Sequence, residues 1–195
     1  MNYLAHLYLS QSDINLMVGN YIADHVKGKD YLNYPEGIQK GIEMHRAIDT
    51  FTDTHPIPQK GKDRLYEKYG KWSAVLIDMF YDHVLAKEWA DYSPIPLTSF
   101  SKSAYQVLKS QQDLFPPASS RTLDWMSRGD WLAGYATVEG IGRALNGISQ
   151  RASFENNMDE SVKTLVEFYP EYKAEFAEFL PLMIKHLRPY FKEVD

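Results

Sequence analysis

Three stretches of this chain place imidazole and carboxylate groups one helical turn apart. His45, Asp49 and Asp53 follow one another at intervals of four residues. On a helix of 3.6 residues per turn that spacing stacks them on one face, close enough to converge on one ion. His55 comes next, at the helix end, where it could join the group or cap the turn. A second run, Asp78-Met79-Phe80-Tyr81-Asp82-His83, is embedded among Val75, Leu76, Ile77, Val84 and Leu85. A helix apolar nearly all round belongs in a core. Carboxylates and an imidazole buried there call for a salt bridge or a cation. In the third, Gly19-Asn20-Tyr21-Ile22-Ala23-Asp24, Asn20 and Asp24 share a face while glycine lets another helix approach; His6 adds an imidazole to the apolar first segment. The chain has no cysteine, so any metal must be held by nitrogen and oxygen, a donor set suited to manganese, iron, magnesium or zinc in an open site. Such an ion lowers the pKa of bound water and holds a phosphate oxygen.

Each of these residues also has a purely structural explanation. His6 could be a hydrogen-bonded core histidine, Asp24 a helix cap or a lysine partner, and Asp53 a cap for the turn before Pro56. Arg46 and Arg151 could pair with the acids or bind a phosphate, and the segment from Lys60 to Lys71 could be a solvated face. His25 and His186 read as incidental. What favours a metal site is the combination, since three separate segments present Asp or His at one-turn spacing where apolar residues would otherwise stand. No Ser, His and Asp arrangement for nucleophilic catalysis stands out, and there is no glycine-rich nucleotide loop.

The elements that must position these groups are helical. Apolar residues recur at spacings of three and four, with no long β-branched alternation, so the fold class is all-α. Helices are predicted over residues 2–9, 14–26 (capped by Asp13), 36–51, 73–89, 97–108, 119–128, 131–148 and 159–191, the last broken at Pro170, Pro181 and Pro189. An exposed helix carries Asp63, Arg64, Lys68 and Lys71. The 195 residues read as one domain, 1–195, with the polar stretch 149–157 as the one plausible hinge. The first residues lack a secretory leader and no apolar stretch is long enough to span a bilayer, which implies a cytoplasmic protein without a membrane partner. A net charge of −5 argues against nucleic acid as a partner.

The chain resembles the acyl carrier protein phosphodiesterase family, also called acyl carrier protein hydrolase. The resemblance rests on Met1-Asn2-Tyr3-Leu4-Ala5-His6-Leu7, Gly19-Asn20-Tyr21-Ile22-Ala23-Asp24, and Gly41-Ile42-Glu43-Met44-His45-Arg46-Ala47-Ile48-Asp49 running into Phe51-Thr52-Asp53-Thr54-His55-Pro56. It continues through Tyr81-Asp82-His83, Trp89, Asp130-Trp131-Leu132, Tyr135 and Arg151. It implies a single-domain helical bundle similar to the HD-domain phosphohydrolases, although the dipeptide here, Asp82-His83, reverses that group's hallmark order. It also implies hydrolysis of the phosphodiester between phosphopantetheine and serine of holo acyl carrier protein, with a divalent cation, manganese first and magnesium or iron as alternatives.

On that resemblance the cation is expected among His45, Asp49, Asp82 and His83, with Asp53 beside them and Asp24 as ligand or general base. Arg46 is expected to balance phosphoryl charge, and His6 or His55 to assist the leaving serine oxygen. Acyl carrier proteins are acidic, which makes the basic segment Lys60, Lys62, Arg64, Lys68 and Lys71 the expected docking surface. Two other functions fit the same residues: a phosphohydrolase of nucleotides or small phosphoesters, and a non-catalytic helical binding protein whose His and Asp groups pair internally.

Overall fold

The computed structural model describes residues 1–152, 154 and 156–191; of the expected hinge, Ser153 and Glu155 lie outside the described residues. Among the described residues there are helices and turns but no strand. In chain order the α-helices are α1 (Tyr3–Leu9), α2 (Ile14–Ile22), α3 (Glu36–Thr54), α4 (Pro56–Tyr69), α5 (Ser73–Lys87), α6 (Trp89–Tyr92), α7 (Leu97–Ser110), α8 (Pro117–Gly129), α9 (Trp131–Gly134), α10 (Val138–Arg151), α11 (Ser161–Glu167) and α12 (Tyr169–His186). Among the described residues no helix is long and apolar enough to cross a membrane.

The central element is α5. Leu76, Ile77, Met79, Phe80, Tyr81, Val84 and Leu85 are buried on all sides of it, as a helix without a polar face requires. Against α5 lie α1, α4 and α12, and the aromatic residues Phe80, Tyr81, Tyr172 and Phe176 meet edge to face across the α5–α12 contact. One hydrophobic core runs from Met1 to Leu187.

Three boundaries differ from the sequence expectation. The segment predicted as one helix over 14–26 tightens at Ala23 into a 3₁₀ turn, Ala23–His25, which changes the direction in which Asp24 is carried. The segment over 131–148 divides at Tyr135, and Thr137 caps the new helix by accepting from the Gly140 N–H. Pro181 does not break α12. The carbonyl of Ala177 loses its partner there, but Ala177 and Pro181 are on the exposed side, where water can satisfy it, while Phe176, Phe179, Leu180 and Met183 hold the opposite side in the core.

Candidate metal centre

The site begins with two glycines. A Cβ on Gly19 would lie 2.3 Å from the Ile38 carbonyl oxygen, and one on Gly41 would lie 2.7 Å from that of Leu16; only glycine allows α2 and α3 to touch through their backbones. That contact brings the Asn20 carbonyl within 2.8 Å of His45 Nδ1. From the other side α1 delivers His6, whose Nδ1 is 2.9 Å from the Asn20 side-chain oxygen, while the Asn20 amide nitrogen donates to Ser10 Oγ at 3.1 Å. The His6 and His45 rings stack with centroids 4.1 Å apart.

Asn20 therefore fixes both imidazoles. Each Nδ1 faces an acceptor oxygen and must donate, which leaves each Nε2 turned toward carboxylates. His6 Nε2 is 3.2 Å from one oxygen of Asp49, and His45 Nε2 is 3.0 Å from the other and 3.3 Å from Asp24. The Met1 carbonyl oxygen is also 3.1 Å from His6 Nε2. Several acceptors thus crowd one small volume, an arrangement that needs a positive charge at its centre.

Donor atoms of His6, His45 and Asp49 lie within 4.8 Å of one another. Two nitrogens and a carboxylate with Asp24 adjacent make this cluster compatible with a divalent metal. A proton supplies the charge otherwise. Burial alone would lower the pKa of His45, but the Asp24 and Asp49 carboxylates outweigh it and push it up to about 9. Burial and the neighbouring His45 lower that of His6. Asp49 is raised by burial, an effect overwhelmed by its hydrogen bonds from His45 and His6, so it ends far below the usual carboxylate range. The His45 hydrogen bond likewise holds Asp24 low, against its burial.

Asp82 and His83, expected as ligands, take other partners. The Asp82 carboxylate is fully buried and accepts the backbone N–H groups of Asn2, Leu4 and Ala5 at 3.1, 2.8 and 3.3 Å. It caps α1 from the distance of another helix and so sets the position of His6. Its burial raises its pKa to about 7 despite those donors and the nearby Met1 ammonium group. His83 Nδ1 bonds the Tyr135 carbonyl at 2.7 Å, and burial lowers its pKa.

The remaining candidates are also accounted for. Arg46 turns away from the cluster, donating to the carbonyls of Val26 and Gly28 and stacking on Tyr31. His55 caps α4, its Nδ1 accepting the Ile57 N–H, with its ring against Phe51 and Phe179. Asp53 lines the same pocket as the cluster and pairs with Lys62 at 2.8 Å. Of the basic segment, Arg64 is bound to Glu175 at 2.6 Å, Lys68 and Lys71 lie over the rings of Tyr69 and Trp72, and Lys60 is exposed.

The pocket has a volume of about 280 Å³ and is lined by His6, Asn20, Asp24, His45, Asp49 and Asp53, closed by Met1, Asn2, Tyr3, Ala74, Val75 and Asp78. Carboxylates outnumber cationic groups along it, which favours a cation. Asn20 as the organiser of both rings, and the chain start as a wall, go beyond the sequence expectation; the sequence signals for Asn20 are its one-turn spacing from Asp24 and its place beside a close-approach glycine.

Comparison with known proteins adds a second line of observation. The sequence pattern described as acyl carrier protein phosphodiesterase matches residues 1–183. Similar proteins of that name occur in Salmonella paratyphi A and Enterobacter sp. (strain 638), each 30% identical over 185 residues, covering 94% of this chain and 96% of theirs. The protein of that name in Klebsiella pneumoniae (strain 342) is 30% identical over 186 residues, covering 95% and 96%. No solved structure matches the chain at a significant level.

Proposed function

We propose, since this chain belongs to the acyl carrier protein phosphodiesterase family, that it hydrolyses the phosphodiester joining phosphopantetheine to a serine of holo acyl carrier protein. The products are apo acyl carrier protein and 4′-phosphopantetheine. The observation that carries this reading is the convergence of His6, His45 and Asp49 Nε2 and carboxylate atoms, with both rings oriented by Asn20.

His6, His45 and Asp49 would hold a divalent cation, manganese first, with Asp24 as a further ligand or base. When bound, the ion supplies Lewis acidity toward a phosphoryl oxygen and acidifies water. The chain's own residues do the rest. Asp24 is ionised and its side chain is 57% exposed, so it can orient a water and take its proton. Tyr3 stays neutral, its pKa raised to about 12 by burial and by Asp24, and its hydroxyl has no hydrogen-bond partner among the described residues, leaving it free to donate to the phosphodiester. The exposed Lys60, Lys68 and Lys71 are the part of the basic segment without an ion pair among the described residues, and they remain our choice for docking the acidic carrier.

The test is mass spectrometry of holo acyl carrier protein incubated with this protein and manganese. Loss of the prosthetic arm, dependent on metal and absent in Asp49→Ala, is the expected result. An unchanged carrier mass overturns the reaction. The pairing of His45 with both carboxylates favours one other reading, a non-catalytic protein whose cluster is neutralised internally; that protein would bind no manganese and gain no melting temperature from it.

A further inference from the structure

Beside the metal pocket lies a second chamber of about 270 Å³, and the two share Asn2 and Tyr3 as a common wall. One side of the chamber is the face of α10 that carries Gly140, Arg143, Ala144, Gly147, Ile148 and Arg151; the other side is Tyr3, Met79, Trp131, Gly134 and Tyr135. The lining is mainly apolar, with the exposed Arg143 and Arg151 at its edge. Arg143 and Arg151 form no ion pair among the described residues. Tyr135 is 3% exposed, and its hydroxyl, like that of Tyr3, has no hydrogen-bond partner among the described residues. Both hydroxyls are thus available to bond an occupant of the chamber.

Space has been kept at the expense of helix propensity. Gly147 sits inside α10, where glycine is among the poorest helix formers, and a Cβ there would meet only the mobile end of Arg151 at 3.4 Å. A Cβ on Gly134 would meet nothing within 4 Å. Neither glycine has a positive φ, so neither is required by backbone conformation or by close packing. Tyr3 links the two chambers electrically, since its hydroxyl feels both Asp24 in the metal pocket and Arg151 in the second chamber.

We infer that this chamber holds the pantetheine arm of the substrate while the phosphodiester lies at the metal pocket. The inference rests on the proposed reaction for the identity of the occupant. The chemistry matches in three respects: the arm's methyl groups suit the apolar lining, its amide carbonyls suit the Tyr3 and Tyr135 hydroxyls, and the phosphate at its end falls at the shared wall of Asn2 and Tyr3, with Arg151 on the α10 side of the chamber to balance its charge. The chamber thereby distinguishes a phosphopantetheine diester from a short one.

The experiment compares calorimetric binding of 4′-phosphopantetheine, pantetheine and inorganic phosphate to the manganese-loaded protein and to Gly147→Leu and Gly134→Leu, with circular dichroism as the check on folding. Leucine at 147 is a better helix former than glycine, so a folded variant is expected. In the unaltered protein 4′-phosphopantetheine should bind at least about tenfold more tightly than phosphate, and either leucine should remove that preference. In turnover, Gly147→Leu should raise KM for holo acyl carrier protein about tenfold more than KM for bis(4-nitrophenyl) phosphate. A preference for the arm that survives both substitutions, or no preference at all, overturns the chamber. Arm binding lost in the variants without any cleavage of the carrier by the unaltered protein would instead sink the reaction and keep the chamber.

Discussion

Replacing Asn20 with Ala separates the proposed metal centre from the structural features around it. The Asn20 side chain is 1% exposed and accepts from His6 Nδ1 at 2.9 Å. The bond to His45 uses the Asn20 backbone carbonyl and survives the substitution. His6 alone loses its orientation, leaving a buried N–H without an acceptor at a cost of about 1–3 kcal/mol. For a chain of this length that lowers the melting temperature by about 2–12 °C. The metal should feel it separately. Removing the outer partner of a ligating histidine weakens metal binding about 10–100-fold, equivalent to about 1.4–2.7 kcal/mol. Manganese titration by calorimetry, well below the melting transition, measures that loss without interference from unfolding, with Asp49→Ala as the reference for a lost ligand. An affinity unchanged within about twofold, in a protein destabilised as expected, would refute the reasoning: Asn20 would then be an ordinary buried amide and His6 not a ligand.

Three further outcomes follow from the geometry. Asp82→Ala removes the cap of α1 and orphans three N–H groups, partly offset by no longer burying a carboxylate, for a loss on the order of 3 kcal/mol in urea unfolding; a manganese affinity reduced as far as in Asp49→Ala would place Asp82 among the ligands instead. His45, raised to about 9 from 6.5, contributes stability that is complete below the lower value and lost as the pH climbs through the higher one. The melting temperature of metal-free protein should fall across that window while the gain from manganese grows, because the ion must displace that proton; a gain independent of pH contradicts this. Lys60→Glu, Lys68→Glu and Lys71→Glu together should raise KM for the acidic carrier at low salt and much less at high salt, and an unaltered KM dismisses the surface.

The helical architecture was legible because periodicity reports burial, and burial decides most helices here. Where local chemistry competes with periodicity, the sequence misled in specific ways. Pro181 reads as a break, yet the exposed face of α12 tolerates an unpaired carbonyl while the buried face holds the helix together. The run over 131–148 reads as continuous, yet Thr137 can begin a helix as well as sit within one, and the structure uses it as a cap. Asp24 was placed one turn after Asn20 on a regular helix, but the 3₁₀ turn at Ala23 carries it to His45 by a different path.

The site was legible in its residue types and not in its pairings, and the reason lies in what one-turn spacing means. His45 with Asp49 and Asp78 with Asp82 have the same signature, two polar groups four apart on a helix. In α3 the pair faces an open pocket, and 40% of the Asp49 side chain is exposed, so its oxygens can take an ion and still admit a substrate. In α5 the pair faces the start of the chain: Asp78 binds the Met1 ammonium group at 2.7 Å and Asp82 the first backbone N–H groups of α1. Those bonds span 77 to 80 residues of sequence, a separation no local pattern can report. The two pairs nevertheless act on one centre. Asp82 fixes α1, α1 presents His6, and His6 meets Asp49 across the pocket, so the acid buried in the core positions the imidazole that the acid on the open face binds.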